Sequence, residues 1–507
     1  EKSRMREFNT SGPNIPSQHY TIERTGLIEK GVRLVGKQRY FTIWAPRQTG
    51  KSTYFRQLAE VLNQRGYAPV FFSVEGFTDF SAAATFATFC RELRKQQKID
   101  WKIESFMDFE QTISDCVDKK LVIIIDEIES LNPKIFSQFL HTIRNLYHSR
   151  QDHCLKSVIL VGVSNIVGVV SDNASPFNIA DNLNVPYFTR AEVFELLQQH
   201  EHETGQRFDN KAKQKISDIT ANQPGLVNGF AKVLVENNPQ KKLIDYDDYL
   251  KVEDWYLTEA IDKNFSNILN KAQEERSLVE RLLFTEDKIP FEIDRPSIKL
   301  LHTNGLIKKD DDGFVAFWVP FYKKRLHKAF YPYTNGEKSE ISLTHLPSDF
   351  YEDGRFNIAK FIESYKRYAK RRGFKPFLEK GADGNYKSIK ESALIYSFET
   401  FISAIVQELS GKIYREADTG LGKSDMIIHI DQQEYLIETK IYSGVKQFET
   451  GKKQLAYYAQ SLGLDKAVYL VYMSNRARKP ETLKEQTETH NNVQIATYLV
   501  EYDEAKW

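Results

Sequence analysis

The nine residues APRQTGKST, positions 45–53, decide how the first half of the chain is read. They match GxxxxGK[ST] at every fixed position but the first, where Ala45 stands for glycine. The apolar run Tyr40–Trp44 precedes them as a predicted strand, and Lys51–Arg65 follows as a predicted helix. A loop in that place presents backbone N–H groups to an anion, and the helix dipole adds to the attraction. Pro46, Arg47, Gln48, Thr49, Gly50, Lys51, Ser52 and Thr53 are therefore expected to wrap ATP. Gly50 lets the backbone turn close to the phosphates. Lys51 reaches the outer phosphates, and Ser52 offers its hydroxyl to Mg²⁺. Ala45 fits because its position needs a small residue more than a special dihedral.

Further along, residues 121–127 read LVIIIDE, an apolar strand ending in two carboxylates. Asp126 is placed to hold Mg²⁺ through water. Glu127 is placed to polarise an attacking water as general base. Strands also read at Pro69–Val74 and Ser157–Val163, with helices between, which predicts a parallel α/β sheet. Arg144 and Arg150 lie on or just after the helix that follows the acidic strand, where an arginine can face a neighbouring subunit.

The combination of HYTIER (19–24), APRQTGKST, LVIIIDE, SPFNIADNLNVPYFTRAEV (175–193) and NQPGLVN (222–228) resembles the AAA-like ATPases near the STAND and archaeal ATPase clades. The resemblance spans about residues 5–330. It implies an ATPase core over 1–190, a helical lid over 191–262 and a winged helix over 263–330. It further implies that Ser164 and Asn165, at the end of a strand, form a polar sensor of the nucleotide. Assembly into a homo-oligomer through the nucleotide interface is also implied. Asn222 stands where such lids have glycine, and no lid arginine is visible.

Two apolar helices, the turn Asp310–Gly313 and the alternating strand Phe314–Val319 fit the winged helix. Residues 331–355 are rich in Pro, Gly, Ser and Thr and read as a linker. A basic amphipathic stretch, Phe361–Lys375, follows, so 331–386 is taken as linker plus basic helix. That helix and the cluster Arg476, Arg478, Lys479 are the local sources of phosphate contacts.

Residues 423–440 read KSDMIIHIDQQEYLIETK. Asp425 opens one strand, a turn follows at 431–433, and Glu438 and Lys440 share one face of the next strand. Carboxylates on adjacent strands make an oxygen-ligand site for a hard cation, with the Thr439 carbonyl as a further ligand. Lys440 can orient the attacking water or neutralise developing charge, which is metal-assisted phosphodiester hydrolysis. The helix before the hairpin carries Glu391 and Glu399, either of which can complete the site. Gln454 and Tyr458, in QLAYY (454–458), share a helix face. Together with the lead-in GKIYREADTGLGKSD, these motifs resemble PD-(D/E)XK nucleases over about 387–507. The resemblance implies a restriction-endonuclease-like α/β domain using Mg²⁺, with Mn²⁺ able to substitute, and Gln454 and Tyr458 near the nucleic-acid backbone or metal.

A chain of 507 residues is too long for one core. Its 41% hydrophobic and 27% charged residues are ordinary for globular protein, and a net charge of +1 gives no whole-chain pull on nucleic acid. Cys90, Cys116 and Cys154 form no CxxC pair and read as reduced thiols, and no apolar run reaches membrane-spanning length. The expectation is a cytoplasmic, multidomain α/β protein without a membrane partner. Its expected function is an ATP-regulated, metal-dependent nuclease acting on DNA, with RNA left open. By architecture alone, it fits bacterial defence or mobile-element control. The alternative is an ATP-switched nucleic-acid-binding sensor or scaffold that does not cut.

Overall fold

The computed structural model describes residues 5–163, 182–331, 347–378, 388–409, 411–415, 425–504 and 506. Among them no helix is long and apolar enough to cross a membrane. The chain divides into two compact units, 1–266 with 298–306, and 267–297 with 307–507. The span expected as a winged helix is thus shared between the two.

The first unit is built on five strands: β1 (Phe41–Trp44), β2 (Ala68–Ser73), β3 (Leu121–Asp126), β4 (Leu155–Gly162) and β5 (Asn182–Asn184). They run parallel in the order β2-β3-β4-β1-β5. The β3 run is apolar throughout because both of its faces are buried. Leu121, Ile123 and Ile125 enter one core, while Val122 and Ile124 enter the other. Helices α1 (Thr25–Gly36), α2 (Lys51–Gln64), α3 (Ala82–Gln97), α4 (Phe106–Asp115) and α5 (Pro133–His148) supply the covering layers. Strand β5 escaped the sequence reading because Asn-Leu-Asn has one apolar residue. Its Asn182 is tied to the sheet by a hydrogen bond from the Thr42 hydroxyl at 2.6 Å.

The lid is helical, with α6 (Arg190–Thr204), α7 (Asn210–Thr220), α8 (Pro224–Asn237) and α9 (Tyr246–Thr258). Thr189 with Glu192, and Asp245 with Asp248, form capping boxes that start α6 and α9. Where no strand was expected, Arg207–Phe208 and Leu243–Ile244 form a short parallel pair. The chain continues as α10 (Lys263–Glu274), α11 (Arg276–Phe284), α12 (Pro296–Thr303), an antiparallel pair of strands (Ile307–Lys309 with Val315–Phe317), and α13 (Pro320–Phe330).

The second unit holds α14 (Ile358–Arg371), α15 (Glu391–Glu408), α16 (Val445–Ser461) and a mixed sheet. Its strands are β6 (Lys412–Arg415), β7 (Asp425–Ile430), β8 (Gln433–Ile441), β9 (Lys466–Ser474), β10 (Gln486–His490) and β11 (Val493–Tyr502), ordered β6-β7-β8-β9-β11-β10. Asp431 and Gln432 both adopt positive φ, 51° and 63°, which makes a two-residue turn and sets the β7–β8 register. Gln433 pairs with Ile430, so it belongs to the strand and not to the turn. Helix α16 is the connection that the parallel β8–β9 pairing requires.

The expected basic helix is α14, which ends four residues earlier than the sequence pattern suggests. Its apolar face is buried: Phe361 is fully covered, with ring centroids 5.3 Å from both Phe350 and Phe401. The helix is therefore part of this unit's core. Removing that ring leaves a cavity, so Phe361→Ala is expected to cost about 3–5 kcal/mol. Urea unfolding monitored on the full chain checks this; an unchanged midpoint would mean that α14 is a detachable arm.

Candidate functional site

Two constellations stand out, one in each unit. In the first, the buried strand β1 delivers the chain into the loop at residues 45–50. Ala45 is fully buried, so the first position of the motif is a packing position here. Gln48 and Gly50 turn the loop with φ of 60° and 87°. Gly50 needs its missing Cβ for that conformation, and α2 starts at the next residue. Lys51 is 9% exposed, and its ammonium donates to the carbonyls of Ala45 at 2.6 Å and Pro46 at 2.8 Å. Thr49 closes the loop by donating its hydroxyl to Pro46 O at 2.8 Å. Burial pulls the Lys51 amine down to about 8, against the opposing charges of Asp126, Glu127 and Glu129.

The acidic end of β3 meets the start of α2. The Ser52 hydroxyl donates to Asp126 at 3.3 Å, and Asp126 also accepts the Glu127 N–H at 2.9 Å. Burial, then the Glu127 charge, raises the Asp126 carboxyl above its ordinary value. Glu127 holds a left-handed conformation, φ 55°, rare for a residue with a long side chain. Arg47 through Thr53, with Asp126 and Glu127, line a cavity of about 310 Å³. Pro46 is not among the lining residues; its carbonyl accepts from Thr49 and Lys51. Hydroxyl, ammonium and carboxylate are thus gathered as a triphosphate with Mg²⁺ requires, and the residues fit both groups. Ser164 and Asn165, and most of SPFNIA, lie outside the described residues. Arg150 donates to Tyr147 O at 2.8 Å and stacks on that ring, so it is engaged within its own unit.

Several residues here were missed in the sequence. Glu129 accepts the Val163 N–H at 3.3 Å, and a Cβ at Gly162 would stand 2.6 Å from its carboxylate. Burial raises its carboxyl too. Asn14 donates its N–H to the Thr53 hydroxyl at 3.0 Å, which brings the N-terminal segment to the cavity. From HYTIER, Arg24 donates to Pro186 and Tyr187 carbonyls at 2.7 and 2.9 Å, tying that segment to the start of the lid. Gly225 donates its N–H to Gln48 O at 3.1 Å, and a Cβ there would lie 2.7 Å from Gln48 Cβ. The glycine is what lets α8 touch the loop.

In the second unit, Glu438 and Lys440 lie on β8 and Glu391 opens α15. The Lys440 ammonium stands 3.7 Å from Glu438 and 3.8 Å from Glu391. The Glu438 side chain is only 5% exposed. Register sets Asp425 directly opposite Glu438. Glu399 is two turns further along α15, about 12 Å down the axis, so Glu391 is the glutamate at Lys440. Thr439 is buried in the strand. Gln454 is exposed and Tyr458 half-buried on α16. Among the described side chains, no group of three or more His, Cys, Asp or Glu residues that could hold a metal ion is found. Glu391 and Glu438 are two oxygen donors flanking one ammonium, and Asp425 is described by its backbone alone.

The basic surfaces are less free than the sequence suggests. On α14, Lys366 pairs with Glu363 and Glu485, and Lys370 with Glu501. Arg372 is buried over the rings of Phe374 and Phe377. Arg476, Arg478 and Lys479 are exposed.

Residues 356–476 match a family described as a domain of unknown function (DUF8371). No curated protein matches the chain. Among solved structures, a Walker-type ATPase of Pyrococcus abyssi is similar at 14% identity, covering 63% of this chain and 99% of that one at a TM-score of 0.47. The RuvB Holliday junction branch migration motor of Thermotoga maritima is similar at 14% identity, 58% and 92% coverage and a TM-score of 0.36. Cdc6p from Pyrobaculum aerophilum is similar at 14% identity, 61% and 94% coverage and a TM-score of 0.36. Likenesses this distant carry no argument about substrate or partner. Residues 12–325 match the AAA-like domain, which is more than half of the chain, and the chain belongs to that family.

Proposed function

We propose that this chain is an ATP-hydrolysing AAA-like protein whose second unit is a metal-dependent nuclease acting on DNA. The observation that carries the nuclease half is the Lys440 ammonium held between Glu391 and Glu438, with Asp425 in register opposite Glu438. In the first unit, Lys51 holds the outer phosphates and Ser52 with Asp126 holds the magnesium side. Glu127 takes the proton of the attacking water. In the second unit, Asp425 and Glu438 are the metal-holding carboxylates, and the Thr439 carbonyl is the proposed further ligand. Glu391 anchors Lys440, which faces the water or the charged phosphate. A bound Mg²⁺ or Mn²⁺ supplies Lewis-acid charge and lowers the pKa of its water. Gln454 and Tyr458 are the proposed contacts to the nucleic-acid backbone, and a homo-oligomer is the proposed assembly.

A second reading is an ATP-switched nucleic-acid-binding scaffold that does not cut. It is favoured by one finding: no metal-holding group of three or more such residues is found among the described side chains.

Two measurements follow. Plasmid and linear DNA are incubated with Mg²⁺ or Mn²⁺, with and without ATP. Cleavage is expected from the wild type and loss of at least a hundredfold from Asp425→Ala and Lys440→Ala, about 2.7 kcal/mol of barrier. Variants that cut like the wild type would refute the site, and DNA binding without cleavage under every condition would favour the scaffold. The second measurement concerns pH. With its amine near 8, Lys51 loses its proton as pH rises past that value. A bound triphosphate favours the charged form, so ATP affinity is lost on the alkaline side. Equilibrium titration is expected to show about tenfold weaker binding at pH 9 than at pH 7. Equal affinities would contradict a partly deprotonated amine in the free site.

A further inference from the structure

A triphosphate with one Mg²⁺ keeps net negative charge, and three carboxylates, Asp126, Glu127 and Glu129, already act on the Lys51 ammonium. Further positive charge on the cavity wall therefore has a use. Arg24 lines the cavity, but its guanidinium is engaged with the carbonyls of Pro186 and Tyr187 and lies 3.6 Å from Glu192. Lys263 also lines it.

Lys263 is the first residue of α10. The backbone there is held in place. The Asp262 carboxylate accepts the Phe265 N–H at 2.7 Å, and Phe265 is buried. The Lys263 side chain is open to water, 86% exposed, with its ammonium 3.5 Å from the Glu75 carboxylate, which is 65% exposed. Glu75 shows which end of the cavity this ammonium occupies. Ser73, the last residue of β2, pairs in register with Asp126, and Val74 donates its N–H to Asp126 O at 3.0 Å. Glu75 follows directly, and its N–H donates to the Ser73 hydroxyl at 3.1 Å. The Lys263 ammonium thus stands beyond the ends of β2 and β3, on the side where Asp126 and Glu127 meet the cavity.

An ion pair this open to water is weak, so its lysine changes partner at little cost. A phosphate oxygen offers that lysine a charge-assisted hydrogen bond inside a partly enclosed site. We propose that Lys263 leaves Glu75 and binds the terminal phosphate when ATP enters, so that Glu75 competes with the nucleotide and the pair distinguishes a triphosphate from a diphosphate. The proposal rests on the reading of this cavity as an ATP site.

The test is equilibrium titration of the full chain with ATP and with ADP, each with Mg²⁺. Lys263→Met is expected to weaken ATP binding about tenfold and to leave ADP binding unchanged. Glu75→Gln removes the competitor and is expected to bind ATP at least as tightly as the wild type. Both side chains are exposed, so neither substitution disturbs the core. If Lys263→Met binds ATP as the wild type does, the proposal is overturned while the nucleotide site stands. The same holds if it weakens ATP and ADP alike, or if Glu75→Gln binds ATP more weakly. If the wild type binds neither nucleotide, the reading of the cavity fails, and the proposal with it.

Discussion

A buried ammonium sets the terms for the first unit. Lys51 lies almost out of water, and its own loop offers it only the carbonyls of Ala45 and Pro46. A cation in that position is costly unless opposite charge is close. The charges of three carboxylates, Asp126, Glu127 and Glu129, oppose the cost without cancelling it. The arrangement is one that a polyphosphate completes. Much else follows from it: β3 must be buried on both faces to hold Asp126 at the correct depth, and Gly162 must lack a side chain to admit Glu129. Gly225 must lack one so that the lid can reach the loop.

The second unit poses the converse problem. Glu438 is a buried carboxylate on a central strand, and an ammonium that it shares with Glu391 stands 3.7 Å away. A structural ion pair accounts for such a group, as does a site that a divalent cation completes. Register sets the Asp425 backbone opposite Glu438 on the neighbouring strand.

Local signals were legible in the sequence. The loop at 45–53 and the carboxylates of β3 are contiguous motifs, and their strand–loop–helix setting follows from hydrophobic runs. The β7–β8 hairpin was readable from its alternation and polar turn, but its register was not, because Gln433 pairs with Ile430 and shortens the turn to two residues. What could not be read depended on distant parts of the chain meeting. Strand β5 has too few apolar residues to be visible, and only its pairing with β1 makes it a strand. Glu391 and Glu399 differ by two helical turns, and which of them meets Lys440 depends on where α15 begins against the sheet. The basic run on α14 looked like a phosphate-binding face, but its partners Glu485 and Glu501 lie far away in sequence. Gly225 sits in a stretch whose residues look like ordinary helix, and its importance comes from the loop it approaches.

The proposed nuclease activity requires that Asp425 and Glu438 hold a divalent cation. Counting Mn²⁺ bound to the full chain by electron paramagnetic resonance, without nucleotide, tests it most directly. A bound Mn²⁺ is expected in the wild type, lost in Asp425→Ala and retained in Asp126→Ala, which alters only the other unit. Finding no bound Mn²⁺, or the same occupancy after Asp425→Ala, would contradict it.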